Sequence, residues 1–191
     1  MYKRQTLELD NDTIQQIKKN DRKVILQLYE YTFNLLMSNA VRYKSNREDQ
    51  MAIVNSAFMK IISSIDQFKA GSNYFSWAKR IVSNTIIDDF RKNKKYLELF
   101  KVDADETSDF NTGDFSPEVY KNMEAEEVQQ ILDQLPPATK ITFNLFAIDG
   151  YSYKEIAEEL NVGYETVKWH VKEARKRLKL ILTETGELIK H

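Results

Sequence analysis

The sequence predicts an all-α protein: two small helical domains joined by an acidic flexible linker, the second a helix-turn-helix domain. Apolar residues recur at the spacing of a single helical stripe in segment after segment. Only five glycines and three prolines interrupt 191 residues. The overall charge of -1 conceals an acidic stretch between two lobes that are basic or near neutral. The expected division is 1–97, a linker at 98–116, and 117–191.

In the first lobe, Val24, Leu28, Tyr29, Phe33, Leu36 and Ala40 make one helical pattern. Val54, Phe58, Ile61 and Ile65 follow at i, i+4, i+7 and i+11, which leaves Asn55, Met59 and Ser63 facing elsewhere. After a turn at 66–73 with Gly71 as its breaker, Phe75, Ala78, Val82 and Ile86 make a third stripe. The lobe reads as a helical bundle carrying 17 basic and 10 acidic side chains over 1–97.

Residues 98–134 hold 2 basic and 11 acidic side chains. Their stretch 102–117, VDADETSDFNTGDFSP, has too few apolar residues to offset the entropy of ordering, so it is expected to be a linker. Two roles for the acidic segment stay open. It screens the basic faces when DNA is absent, or it is a passive solvated tether.

The second lobe opens after Pro136-Pro137, a pair suited to a helix start. Ile141, Leu145 and Ile148 are expected to form one apolar face that ends at Asp149-Gly150. Ser152-Tyr153-Lys154-Glu155 has the form of a capping box, opening a helix with Ile156, Ala157 and Leu160 inward. A four-residue turn, Asn161-Val162-Gly163-Tyr164, leads to a helix with Val167, Val171, Ala174 and Leu178 on its inner stripe. Together these make a helix-turn-helix pattern.

Composition excludes several kinds of chemistry. There is no Cys, and the two His, His170 and His191, lie far apart, so thiolate and His-based metal sites are not expected. No glycine-rich phosphate loop or Ser-His-Asp set is present, and no enzyme activity, cofactor or metal is predicted. No apolar run reaches the length of a signal peptide or a membrane span, which places the chain in the cytoplasm.

Two basic surfaces remain. Residues 166–180 hold six basic side chains and one acidic one. With the inner stripe buried, Glu165, Trp169, Lys172, Glu173 and Lys176 are expected to point outward with Lys168 beside them, a face suited to a major groove. Glu165, Lys168, Trp169 and Lys172 are the expected base readers, with Arg175 and Lys176 on phosphates. Trp169 has two readings: packing on a thymine methyl or sugar, or covering an apolar patch of its own domain. His170 sits toward the inner flank and reads as structural or a minor phosphate contact. Residues 79–95 hold six basic and two acidic side chains, with Phe68, Tyr74, Phe75 and Trp77 just before them. Cations beside aromatics and a glycine-containing loop suit single-stranded DNA, although Phe75 and Trp77 also fit a plain core.

The stretches DQFKAGSNYFSWAKRIVSNTIIDDFRKNKK and LPPATKITFNLFAIDGYSYKEIAEELNVGYETVKWHVKEARKRL resemble bacterial sigma factors of the extracytoplasmic-function group. The series Phe75, Trp77, Arg80, Ile81, Asn84, Asp88 and Arg91 carries most of that likeness. The resemblance implies a sigma region 2-like domain that binds core RNA polymerase and the minus-ten element, and a sigma region 4-like domain that binds the minus-thirty-five element. It implies that Arg80, Asn84, Asp88, Arg91 and Lys92 lie on the helix meeting the minus-ten element. It also implies that Phe68, Lys69 and Asn73 belong to the loop that receives an extruded base. The helix from Ala52 to Ile65, with Ala52, Asn55, Ser56 and Met59, corresponds to the family's element for docking on the beta-prime clamp helices; the beta flap is a second contact. Partner-based control is common in the family, which adds an anti-sigma factor to the candidate partners.

The chain departs from the family pattern at Ala52 and Asn55-Ser56, where an acidic residue and Gln-Glu are usual, and at Trp169-His170 and Glu173. The expected function is promoter recognition and transcription initiation. The alternative is a free-standing helix-turn-helix regulator that binds duplex DNA without polymerase and uses its first lobe for dimerisation or partner binding.

Overall fold

The computed structural model describes residues 9–92, 100 and 125–188. Every regular element among them is helical: α1 (Asn11–Lys18), α2 (Arg22–Tyr43), α3 (Arg47–Ser63), a 3-10 turn (Ile65–Gln67), α4 (Tyr74–Lys92), α5 (Ala125–Leu132), α6 (Pro137–Phe143) running into a π turn (Asn144–Ile148), α7 (Tyr153–Leu160) and α8 (Tyr164–Leu188). The chain divides into two compact units, Met1–Asp88 and Asp89–His191. Apart from Phe100, which is buried, the segment expected to be a linker lies outside the described residues. No helix among the described residues is long and apolar enough to cross a membrane.

Short polar residues start the helices of the first unit. Asp10 accepts from the Thr13 amide (2.8 Å), Asp21 from Lys23 (2.9 Å), Asn46 from Asp49 (2.8 Å) and Asn73 from Ser76 (3.0 Å). Each satisfies an amide that the helix cannot, a contribution of about 1 kcal/mol. The core joins Leu28, Leu36 and Ala40 of α2, Ile53, Val54, Ala57, Phe58 and Ile61 of α3, and Ala78, Val82 and Ile86 of α4. Helices α2 and α3 pack together, with the Phe58 ring edge-on to Tyr29 at 4.9 Å.

One expected core residue is not there. Phe75 is 41% exposed and rests on Tyr31 (4.9 Å). The inward stripe of α4 begins one residue earlier, at Tyr74, because that ring brings a hydroxyl that can be satisfied inside. Thr32 donates to the Leu28 carbonyl (2.7 Å), so the Tyr74 hydroxyl, 2.6 Å from the Thr32 oxygen, donates to it. Burial pushes the Tyr74 phenol up, and it stays protonated.

In the second unit, Ile131, Leu132 and Leu135 pack with Phe143, Ala174 and Leu178, and Val128, Ile181 and Leu182 border them. Pro137 takes the first turn of α6, where a missing amide hydrogen has no cost. The capping box of α7 is complete: the Glu155 amide donates to Ser152 Oγ (3.2 Å), and the Ser152 amide donates to the Glu155 carboxylate (2.8 Å). Helices α6 and α7 both pack against α8, whose Val167, Val171, Ala174 and Leu178 are buried.

Two expectations for this unit are corrected. Ile141 and Leu145 are buried but Ile148 is exposed, because the π turn adds a residue to the helical winding and carries Ile148 off the inner face. The helix-turn-helix turn has three residues. Asn161 takes the left-handed conformation (φ 53), Val162 and Gly163 follow, and Tyr164 already belongs to α8. Asparagine tolerates that conformation because its short polar side chain bonds locally.

Candidate nucleic-acid interface

Each unit presents its own surface. On α3, Ala52, Asn55, Ser56 and Met59 fall at i, i+3, i+4 and i+7 and are all exposed, while Ile53, Val54, Ala57 and Phe58 fill the core behind them. Met59 is 65% exposed. A thioether in water at that degree of exposure adds adaptable apolar surface to an otherwise small and polar face.

On α4, Arg80, Asn84, Arg91 and Lys92 are exposed and Asp88 is half-buried. The Asp88 carboxylate accepts a hydrogen bond from Lys60 Nζ of α3 at 2.7 Å. Lys60 therefore offsets that carboxylate, while the Arg91 guanidinium is itself paired with the Glu159 carboxylate at 2.9 Å. Lys94 and Lys95, the end of the basic cluster, lie outside the described residues.

The loop before α4 turns at Gly71, whose φ of 82 favours a residue without Cβ. Lys69 and Asn73 are exposed on it. Ser72 closes the turn by donating its amide (3.0 Å) and its hydroxyl (2.6 Å) to the Lys69 carbonyl. Phe68 departs from expectation. It is 6% exposed, with its ring against Trp77 (5.2 Å) and edge-on to Tyr74 (5.9 Å). Its side chain is the apolar floor under the loop, and the side chains exposed on the loop include Lys69 and Asn73, beside the half-buried Trp77.

In the second unit, α8 displays Glu165, Lys168 and Lys176 in the open, with Trp169, Lys172 and Arg175 half-buried. Lys168 lies 3.6 Å from Glu165, a loose surface pair that water and salt weaken. Glu173 accepts from Arg177 Nε at 2.6 Å, which neutralises the acidic residue within the basic run. Arg175 does not point freely outward, since its guanidinium carbon lies 5.5 Å over the Phe146 ring.

His170 is core. It is 3% exposed, with Nδ1 3.0 Å from Thr139 Oγ1 and its ring edge-on to Phe100 (5.3 Å) and Trp169 (4.9 Å). Burial pushes its pKa down to about 4, against an opposing pull from the Glu173 carboxylate, so the imidazole is neutral at pH 7. Among the described residues no group of three or more His, Asp or Glu side chains could hold a metal ion.

Nothing in the sequence pattern marks Tyr164 or Phe146: the spacing puts Tyr164 in the turn, and Phe146 takes its place through the π winding. Phe146 stacks on Tyr153 (4.6 Å), and Tyr153 meets Tyr164 edge-on (6.1 Å). Asn161 was the available signal, because a left-handed residue there ends α7 two residues before Gly163.

With both surfaces in place, residues 28–96 match the family model for Sigma-70 region 2, and residues 125–178 match the model for Sigma-70, region 4. The chain is similar to the ECF RNA polymerase sigma factor EcfG of Rhodopseudomonas palustris, with 28% identity over 151 residues, 79% of this chain and 81% of that one. It is also similar to the ECF RNA polymerase sigma-E factor of Escherichia coli K12, with 27% identity over 176 residues, 88% and 92% of the two chains. A solved structure of the sigma factor RpoE with the anti-sigma factor NepR from Bartonella quintana aligns with a TM-score of 0.47 at 23% identity, covering 86% of this chain and 98% of that one.

Proposed function

The chain belongs to the extracytoplasmic-function group of sigma-70 RNA polymerase sigma factors and directs promoter recognition, and we propose how its residues divide that work. The observation that carries the division is the order of the two matches on one chain, region 2 over the first lobe and region 4 over the helix-turn-helix. Core RNA polymerase and promoter DNA are its partners.

In this proposal α3 docks on the polymerase clamp through Ala52, Asn55, Ser56 and Met59. Arg80, Asn84, Asp88, Arg91 and Lys92 line the melted minus-ten element, and Lys69 and Asn73 receive an extruded base. Lys168, Lys172 and Lys176 bring α8 to the upstream duplex, where Glu165 and Trp169 reach base edges and the cations release counterions. The chain performs no bond chemistry of its own, works in the cytoplasm where polymerase works, and is open to control by an anti-sigma factor.

The test is reconstitution. Purified chain and bacterial core polymerase should co-elute and yield a run-off transcript from a two-part promoter, and the chain alone should yield no product. Failure to bind core, or a palindromic footprint made without polymerase, would contradict the assignment.

A further inference from the structure

Tyr164 is the first residue of α8, is 49% exposed, and lies one residue before the row of side chains proposed above to read the upstream duplex. Its ring is not loose. Tyr153, the first residue of α7, meets it edge-on at 6.1 Å with the planes 75° apart. Tyr153 in turn lies on Phe146, with centroids 4.6 Å apart and planes 27° apart, and Arg175 from about three turns further along α8 covers Phe146 at 5.5 Å. Three rings and a guanidinium thus form one continuous support running from the π turn through α7 to the start of α8.

We propose that Tyr164 is a specificity-determining residue for the upstream promoter element, held in place by Phe146, Tyr153 and Arg175. The inference rests on the assignment of this chain as a promoter-recognition factor and deepens it. In a helix-turn-helix the first turn of the second helix stands closest to base edges. A tyrosine there offers an apolar face for a thymine methyl and a hydroxyl that donates or accepts at a base edge. Its contact with Tyr153 reduces the rotamer freedom it loses on binding. The same support reassigns Arg175. Its guanidinium is engaged above Phe146, so it acts through the stack as a positioning residue, and the adjacent cations Lys168, Lys172 and Lys176 supply the phosphate contacts.

The experiment uses the full chain in holoenzyme with core polymerase. The probe is a library of duplexes randomised over two blocks with a spacer of varied length, and bound molecules are sequenced. Wild type should enrich one upstream and one downstream sequence. Tyr164→Ala should lose preference at one or two adjacent upstream base pairs by about tenfold each, with the downstream preference unchanged in the same molecules. Tyr164→Phe should keep any thymine preference and lose the part that depends on the hydroxyl. Arg175→Gln should weaken upstream preference at those same base pairs and at no others. A general loss of upstream binding with the base preferences unaltered would show that Tyr164 only supports the fold, and would overturn the proposal. So would unaltered preference and affinity in both Tyr164 variants. If wild-type holoenzyme enriches no upstream sequence, the parent assignment fails and this inference with it. Should Tyr164→Ala not fold, Tyr164→Phe decides the matter together with Tyr164→Leu, which keeps the bulk and is expected to spare only methyl-dependent preference. Unaltered preference in both would overturn it.

Discussion

His170 and Lys60 show how single side chains set the conditions under which these surfaces work. In the fold His170 stays neutral down to about 4, whereas in the unfolded chain it takes up a proton near 6.5. Its folded value is the lower one, so the stability it contributes is complete above 6.5 and is lost as the pH falls from there toward 4, up to about 3 kcal/mol. Urea unfolding of a Trp77→Phe chain, followed through Trp169, should show that decline, and His170→Gln should flatten it. An equal decline in both chains would contradict the account. Lys60 acts on a partly exposed carboxylate, so its effect is smaller. Lys60→Ala removes the 2.7 Å ammonium partner of Asp88, in the row proposed to meet the minus-ten strand, a penalty of up to about 1 kcal/mol. Open-complex formation should fall by up to about fivefold, Lys60→Arg should restore most of it, and equal rates in all three chains would refute the role.

At the scale of elements, the sequence-readable part was what repeats at regular spacing. The stripes of α3 and α8 and the exposed face of Ala52, Asn55, Ser56 and Met59 follow from α-helical periodicity, and the capping box from the Ser152-Glu155 spacing. The misreadings arose where winding or partner choice departs from it. Ile148 was placed by α-helical spacing that the π turn breaks, and Phe75 was placed inward where Tyr74 had a hydrogen-bond partner, Thr32, from a distant part of the chain. Phe68 was offered to DNA because a loop aromatic next to a basic helix suggests stacking, yet Trp77 and Tyr74 enclose it. The Thr32 partner lies 42 residues away, out of reach of local sequence. The capping box yields a prediction at this scale. With eight residues, α7 has little helical stability of its own. Ser152→Ala should cost about 1 kcal/mol in urea unfolding of the second unit, and should weaken upstream binding only as far as α7 frays. A cost indistinguishable from zero would mean that packing against α8 holds α7 without its cap.

For the whole molecule, the central claim is that one chain carries two nucleic-acid surfaces with separate tasks and that the polymerase supplies the catalysis. The lobes differ in what they can hold. The first offers polar α4 side chains beside an aromatic-floored loop, suited to unpaired bases, and the second offers a basic helix suited to duplex. The most direct test compares Asn84→Ala and Lys172→Ala in holoenzyme on one two-part promoter, measuring upstream duplex protection and permanganate reactivity of the melted strand in the same samples. Lys172→Ala should reduce protection, and it should lower melting only in proportion to occupancy. Asn84→Ala should keep protection and lose melting. Equal loss of both signals in both variants would contradict the division of labour.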